Sequence, residues 1–223
     1  MTFAAAFFDV DETLIKMKSM FHFYHYWSNV RGNQKAYEEF IKRFQQAVAE
    51  GVPREVLNRM YYRQFSGIDI DDVYQVAEDW FHKYLHEKEA YIASAVDRFQ
   101  RHKISGHLTV FISGSMLPLL KPLGQRLGAD AILCTQLLLD AKGKLTGEIG
   151  EPQTIGQGKQ RALLSFSQSH HIDLAKSFAY GDDLSDIPML AATGNPVCVG
   201  EHSNLAEYAR RNNWNMLAEN ATN

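Results

Sequence analysis

Cysteine is scarce in this sequence. Only Cys134 and Cys198 occur among 223 residues, too few for the disulfide framework that stabilises many small secreted domains. The N-terminal segment also lacks the basic residues that precede the apolar part of a secretory signal. Both observations favour a reducing compartment, and we expect a cytoplasmic protein.

Long apolar runs and basic clusters are also missing. No window approaches the roughly eighteen consecutive apolar residues that a membrane-spanning helix needs. Lys and Arg number 23 against 26 Asp and Glu, which gives a formal net charge of −3, and basic residues do not cluster beyond pairs such as Arg210 and Arg211. The sequence therefore gives no electrostatic reason to expect nucleic acid or an anionic membrane as a partner, and it does not define an oligomeric state.

The composition is that of an ordinary globular protein. Hydrophobic residues make up 45% of the chain and charged residues 22%, both near the average for soluble domains. A chain of 223 residues is long enough for one full-sized α/β domain with an insertion, or for two small domains.

The segment from about residue 16 to residue 103 has the pattern of helices alone. Its apolar positions recur every three or four residues, as over residues 74–85, and no credible strand interrupts it. The predicted division of the chain is therefore a core formed by residues 1–15 and 104–223 and an all-helical insertion formed by residues 16–103.

Strands and helices alternate outside that insertion. The predicted strands are residues 3–10, 107–113, 176–181 and 196–200, with a hairpin that pairs 131–139 with 144–149. The predicted helices are residues 116–127, 157–168, 187–192 and 204–211. This alternation predicts an α/β fold in which a parallel sheet is covered by helices on both faces. Because ligands bind beyond the carboxyl ends of such strands, the residues that follow each strand are the candidates for a functional site.

Acidic residues follow two of the predicted strands. Asp9 and Asp11 come directly after the first strand, and because side chains alternate along an extended backbone they lie on one side, about 6 to 7 Å apart. Asp182, Asp183 and Asp186 follow a later strand. Acids this close repel one another unless a cation compensates, and their oxygens suit Mg²⁺. Turn and helix-cap roles are the alternative for both groups.

Two further positions have the character of phosphate-binding groups. Ser113, Gly114 and Ser115 end a predicted strand just before a helix, where a hydroxyl and free backbone N–H groups suit an anion. Lys159 lies in the first turn of another helix, where the helix dipole disfavours a cation unless it neutralises a phosphate or an acidic cluster. Simple capping by Ser115 and a solvated Lys159 are the alternatives.

The order of these groups along the chain is D-x-D-x-T, then Ser, then Lys, then G-D-D-x-x-D. In this order the chain resembles the haloacid dehalogenase (HAD) superfamily over its full length. The helical insertion between the first two motifs resembles the helical cap of the phosphoserine phosphatase-like branch. The resemblance implies a Rossmann-like α/β core with that cap, and Mg²⁺-dependent hydrolysis of a small phosphomonoester through an aspartyl-phosphate.

The resemblance also implies roles for individual residues. Asp9 would attack the phosphorus, and Asp11 would protonate the leaving oxygen and then activate water. Mg²⁺ would be bound by Asp9, Asp182 and the backbone carbonyl of Asp11. The expected supporting residues are Asp183 and Asp186 around the metal, Ser113, Gly114 and Lys159 around the phosphoryl oxygens, and Thr13 in the phosphate-binding turn after the first strand.

Position 18 departs from the phosphoserine phosphatases. Where those enzymes have a Glu that binds the ammonium group of the substrate, this sequence has Lys18, with Lys16 nearby. A cation cannot take that role, so we expect a substrate other than phosphoserine. Phosphoryl transfer to an alcohol, a phosphoacceptor switch and a binding protein on the same scaffold are open alternatives. An acid/base group at Asp11 favours an enzyme over a switch, because a switch must preserve its aspartyl-phosphate.

The cap has two further predicted features. It is expected to open and close about hinges near residues 14–18 and 103–106, where it joins the core. The aromatic stretch at residues 21–27 either lines the substrate pocket or forms the core of the cap.

Overall fold

The computed structural model describes residues 3–219. The strands in this part of the chain are β1 (Ala5–Phe8), β2 (Leu108–Met116), β3 (Ala131–Thr135), β4 (Leu137–Leu139), β5 (Leu145–Ile149), β6 (Phe178–Gly181), β7 (Asn195–Val199) and β8 (Asn215–Leu217). The α-helices are α1 (Ser19–Val30), α2 (Gln34–Ala49), α3 (Arg54–Tyr62), α4 (Ile70–Tyr84), α5 (Ala93–Ile104), α6 (Leu117–Leu127), α7 (Gln157–Ser169), α8 (Ile187–Leu190) and α9 (Ala206–Arg211).

Six strands form one parallel sheet in the order β3-β2-β1-β6-β7-β8. Every residue of β1 is buried, as expected for a central strand that is covered on both faces. On one face Phe7 meets Phe166 of α7 edge to face, with 6.4 Å between ring centroids. On the other face Phe8 packs against Phe99 of α5 at 5.1 Å. The predicted parallel sheet with two helical layers is therefore confirmed.

Helices α1 to α4 pack around a set of buried aromatic side chains. These are Phe23, Tyr24, Trp27, Phe40, Tyr61, Phe65 and Trp80. The stretch at residues 21–27 contributes three of them, so these members lie in the apolar core that helices α1 to α4 share.

Helix α5 lies against the sheet. Its Phe99 contacts Phe8 of β1 and also Phe111 of β2, where the ring centroids are 5.7 Å apart. The division of the chain into a core and an insertion at residues 16–103 stays a prediction. Because α5 packs on the core strands, we propose that the cap ends before this helix, near residue 92.

The predicted hairpin of residues 131–139 with 144–149 is wrong in its first half. β3 pairs in parallel with β2 at the edge of the main sheet, and only β4 pairs antiparallel with β5. The chain leaves the sheet after Thr135, and the carbonyl of Gln136 accepts a hydrogen bond from the N–H of Gly150 (2.8 Å) at the base of the hairpin. One apolar run covers both β3 and β4, so the sequence does not show that the two strands pair with different partners.

The opposite edge of the sheet is formed by β8, which pairs with β7. Sequence analysis does not predict β8, because three residues, Asn-Met-Leu, are too few to show an alternating pattern. Among residues 3–219, no helix combines the length and the apolar character required to cross a membrane.

Candidate active site

Three parallel strands bring polar residues to one edge of the sheet. Asp9 directly follows β1, and its backbone N–H donates to the carbonyl of Tyr180 in the neighbouring β6 (2.9 Å). Ser113 lies in the last part of β2, and Asp182 directly follows β6. Helix α7 begins at the same edge and carries Lys159 in its first turn. Residues from distant parts of the chain thus meet at this edge of the sheet.

Lys159 holds two of the acids together. Its Nζ lies 2.7 Å from Oδ1 of Asp9 and 2.7 Å from Oδ1 of Asp186, and its side chain is only 5% exposed. Burial by itself would lower the pKa of Lys159, but the carboxylates of Asp186 and Asp9 outweigh burial and raise that pKa above its ordinary value. Lys159 is therefore a permanently charged ammonium, and the solvated alternative is excluded.

The acids around Lys159 form a compact group. One carboxylate oxygen each of Asp9, Asp182 and Asp186 lies within 4.8 Å of the others, and all three residues are buried. Burial and the neighbouring charge of Asp186 raise the pKa of Asp182 to about 7. The pKa of Asp9 is also raised, by burial first, although Lys159 opposes the shift. Three carboxylates against one ammonium leave an excess of negative charge, which a divalent cation would offset.

Thr13 supports this group from the turn after β1. Its hydroxyl donates a hydrogen bond to Oδ1 of Asp182 (2.8 Å), and the Thr13 side chain is fully buried. The preceding residue, Glu12, has a φ of 58°, a left-handed conformation that reverses the chain here. The Thr13 hydroxyl thus orients a carboxylate of the acidic cluster.

Asp11 stands apart from the cluster, with one oxygen free. Its Oδ2 accepts a hydrogen bond from the backbone N–H of Ser19 (3.0 Å). Its Oδ1 is buried and has no hydrogen-bond partner among residues 3–219. Burial raises the pKa of Asp11 to about 6, so near neutral pH this carboxyl can both give and take a proton.

The loop at the end of β2 has a narrow geometry. The Ser113 hydroxyl accepts a hydrogen bond from the N–H of Ser115 (3.1 Å). A Cβ added to Gly114 would lie 2.8 Å from Cγ1 of Ile155, so a side chain at this position would require the Ile155 side chain, just before α7, to shift. The Ser115 hydroxyl accepts a hydrogen bond from Ser19 (3.3 Å).

Sequence reasoning misses two residues at this loop. Asn58 and Tyr62 of α3 both donate hydrogen bonds to the carbonyl oxygen of Gly114, at 3.3 and 2.6 Å. No motif marks them, because an Asn and a Tyr four residues apart on a helix are common. Only the docking of α3 on the core gives them a place at the site.

Asp183 points away from the acidic cluster. Its Oδ1 accepts from the backbone N–H of Ser185 (2.9 Å) and pairs with the guanidinium of Arg54 in α3. Burial opposes ionisation, but these two contacts outweigh it and hold the pKa of Asp183 at about 2. Asp183 therefore caps its own loop and contacts helix α3 through Arg54.

The fold and these side chains define an α/β protein with a cluster of carboxylates around one buried lysine at the carboxyl edge of a parallel sheet. A profile of the haloacid dehalogenase-like hydrolase family matches residues 6–191. That match covers most of the chain, and the chain belongs to this family.

Related proteins of known or assigned activity are similar to this chain over most of its length. A probable phosphatase from Mycobacterium tuberculosis is 27% identical, over 96% of this chain and 75% of its own length. A histidinol-phosphatase from Neisseria meningitidis is 26% identical, over 95% of this chain and 97% of its own length. A solved phospho-aspartyl intermediate analogue of phosphoserine phosphatase has a TM-score of 0.66 and 19% identity, and the match covers 99% of this chain and 95% of that one. The last likeness shows a shared fold.

Proposed function

We propose that this protein is a Mg²⁺-dependent phosphatase that hydrolyses a small phosphomonoester through an aspartyl-phosphate on Asp9. The observation that carries the proposal is the grouping of Asp9, Asp182 and Asp186, with oxygens within 4.8 Å of one another, around a buried lysine. Asp11, with its free buried oxygen, adds the proton-transfer group that this chemistry needs.

Two displacements complete the proposed reaction. In the first, a carboxylate oxygen of Asp9 forms a bond to phosphorus while the bond from phosphorus to the ester oxygen breaks, and Asp11 gives its proton to that oxygen. In the second, Asp11 takes a proton from water, the water oxygen bonds to phosphorus, and the Asp9 carboxylate is released. A pKa of about 6 for Asp11 serves both directions of proton transfer near neutral pH.

The acidic cluster fits a divalent cation. Asp9, Asp182 and the carbonyl of Asp11 would hold Mg²⁺, with Asp186 beside them and bound to Lys159. When bound, the ion supplies positive charge that offsets the negative charge of the nucleophile and the phosphoryl oxygens. The buried Lys159 ammonium offsets the same negative charge. The Ser113 hydroxyl and the Gly114 N–H hold the phosphoryl oxygens.

Lys18 supports a substrate other than phosphoserine. It lies 3.3 Å from Glu12 and is 59% exposed, and it immediately precedes Ser19, whose N–H binds Asp11. A positive charge at position 18, where the phosphoserine phosphatases have a Glu, disfavours a substrate ammonium group. The named substrates of similar proteins, histidinol phosphate and phosphoserine, both carry such a group and belong in any panel as comparisons.

A substrate screen tests this function. Purified protein is assayed for phosphate release from a panel of phosphomonoesters with Mg²⁺ and with EDTA, alongside Asp9→Asn and the exposed control Asp79→Asn. We expect turnover that is lost on chelation and in Asp9→Asn and kept in Asp79→Asn. Activity of Asp9→Asn contradicts the mechanism, and preferred turnover of phosphoserine contradicts the assignment of the substrate.

The same assay separates the alternatives. Adding a simple alcohol and measuring its phosphate ester against inorganic phosphate distinguishes transfer to an alcohol from hydrolysis. Phosphate binding without turnover would indicate a binding protein. We also propose a cytoplasmic location, which rests on the two free cysteines.

A further inference from the structure

Three side chains donate hydrogen bonds to the carbonyl oxygen of Gly114. It accepts hydrogen bonds from the Tyr62 hydroxyl (2.6 Å), the Thr135 hydroxyl (3.0 Å) and the Asn58 amide (3.3 Å). A carbonyl oxygen has two lone pairs, so three donors saturate it and fix the plane of the peptide group. Two of the donors come from the cap helix α3 and one from β3 of the core.

The same peptide group controls the Ser113 hydroxyl. Its N–H, which belongs to Ser115, donates to the Ser113 oxygen (3.1 Å). Because this bond occupies an acceptor site of Ser113, the hydroxyl hydrogen of Ser113 is left to donate to another group. Turning the peptide plane would therefore turn the serine hydroxyl as well.

The donors from the cap are themselves well held. Asn58 and Tyr62 are four residues apart and so lie on one face of α3, and they are only 7% and 1% exposed. The side-chain oxygen of Asn58 accepts a hydrogen bond from Gln153 of the core (2.8 Å). Burial raises the pKa of the Tyr62 hydroxyl, so near neutral pH it is protonated and donates.

We infer that Asn58 and Tyr62 are positioning residues: by holding the Gly114 carbonyl they aim the Ser113 hydroxyl at the phosphoryl group, so that docking of α3 completes the phosphate site. This inference rests on the proposed function. It assigns to the cap a part in phosphate binding that is independent of the leaving group. Tyr62 therefore affects every phosphomonoester alike, whereas a residue that contacts the leaving group would change the selectivity among substrates.

A double-mutant cycle tests the inference. Binding of inorganic phosphate in the presence of Mg²⁺ is measured by calorimetry for the wild type, Tyr62→Phe, Ser113→Ala and the double variant. Loss of one positioning hydrogen bond should weaken binding in Tyr62→Phe about three- to tenfold. If Tyr62 acts through Ser113, Tyr62→Phe has almost no further effect in the Ser113→Ala background. Equal effects in both backgrounds overturn the inference.

The neighbouring residue offers a matched control. Tyr61 is also fully buried, but its hydroxyl has no hydrogen-bond partner among residues 3–219, so Tyr61→Phe should bind phosphate as the wild type does. Thr135→Val removes a donor to the same carbonyl from the core side, should weaken binding in the same direction, and serves if Tyr62→Phe fails to fold. An unchanged affinity in folded Thr135→Val contradicts the inference.

Turnover supplies the second measurement. The ratio of kcat/KM between Tyr62→Phe and the wild type should be the same for substrates with different leaving groups, and a ratio that varies among them overturns the positioning role. Absence of both phosphate binding and turnover in the wild type counts against the proposed function. Wild-type binding and turnover with an additive cycle count against this inference alone.

Discussion

Replacement of Lys159 by Met is the substitution whose outcome the structure defines most closely. The Lys159 ammonium is buried and lies 2.7 Å from the carboxylates of both Asp9 and Asp186. Met keeps most of the aliphatic volume but leaves the acids without their cation. Removing one partner of a buried ion pair costs about 3 to 5 kcal/mol of unfolding free energy. At about 2 to 4 °C per kcal/mol for a chain of this size, Tm should fall by roughly 10 °C.

Thermal unfolding in EDTA measures this effect without interference from bound cation. In Lys159→Met the carboxyl of Asp9 loses the neighbouring charge that lowers its pKa, so the folded protein keeps Asp9 protonated to a higher pH than the unfolded chain does. The loss of stability should therefore grow as the pH rises toward 8. Adding Mg²⁺ should recover part of the loss, because an ion that binds only the folded state stabilises it.

A second substitution tests whether charge is the cause. Asp186→Asn removes one of the acids that face Lys159, so Lys159→Met should cost less in that background than in the wild type. Lys176→Met is the control, since its lysine is 74% exposed and its pairing with Asp173 at 3.3 Å contributes less than about 1 kcal/mol. A Tm of Lys159→Met in EDTA equal to that of the wild type would refute the reasoning.

Two other predictions follow from single side chains. Burial and the neighbouring His107 lower the pKa of His102 from 6.5 to about 4. Between pH 6.5 and 4 the unfolded chain therefore binds a proton at His102 that the folded protein does not. The free energy of unfolding falls over this window as the pH falls, by at most ~3 kcal/mol. Urea unfolding at several pH values should show that the free energy of unfolding falls less steeply with decreasing pH in His102→Gln but not in the exposed His86→Gln. An unchanged pH dependence in His102→Gln argues against this role of His102. Lys18→Glu replaces repulsion of a substrate ammonium by attraction, which should raise kcat/KM for phosphoserine relative to p-nitrophenyl phosphate about two- to fivefold. Lys35→Glu, 87% exposed on α2, should leave that ratio unchanged, and the idea fails if Lys18→Glu does so too.

The general fold and the members of the candidate site follow from local patterns. A short apolar run that ends in acids predicts a buried strand with Asp9 and Asp11 at its end, and the same logic predicts Asp182 after β6. Parallel strands share one edge for their carboxyl ends, so these residues are brought together by any sheet with this order of elements. Lys159 is recognisable because a cation in the first turn of a helix is locally unfavourable.

The partners of each side chain depend on contacts that leave no trace in the sequence. Thr13 and Asp182 are 169 positions apart, and which oxygen the Thr13 hydroxyl meets is decided by how β1 and β6 are aligned. The split of the apolar run after Thr135 is likewise decided by pairing, because β3 and β4 have similar composition but different neighbours.

The amino-acid sequence alone determined which residues lie at the edge of the sheet, because each strand and the polar residues that follow it are marked by a local pattern along the chain. Tertiary structure alone decided that one ammonium bridges Asp9 and Asp186, and that Tyr62 binds the Gly114 carbonyl. Both arrangements arise from the docking of helices on the sheet, where the packing of whole elements fixes the distances between side chains that are far apart in the sequence.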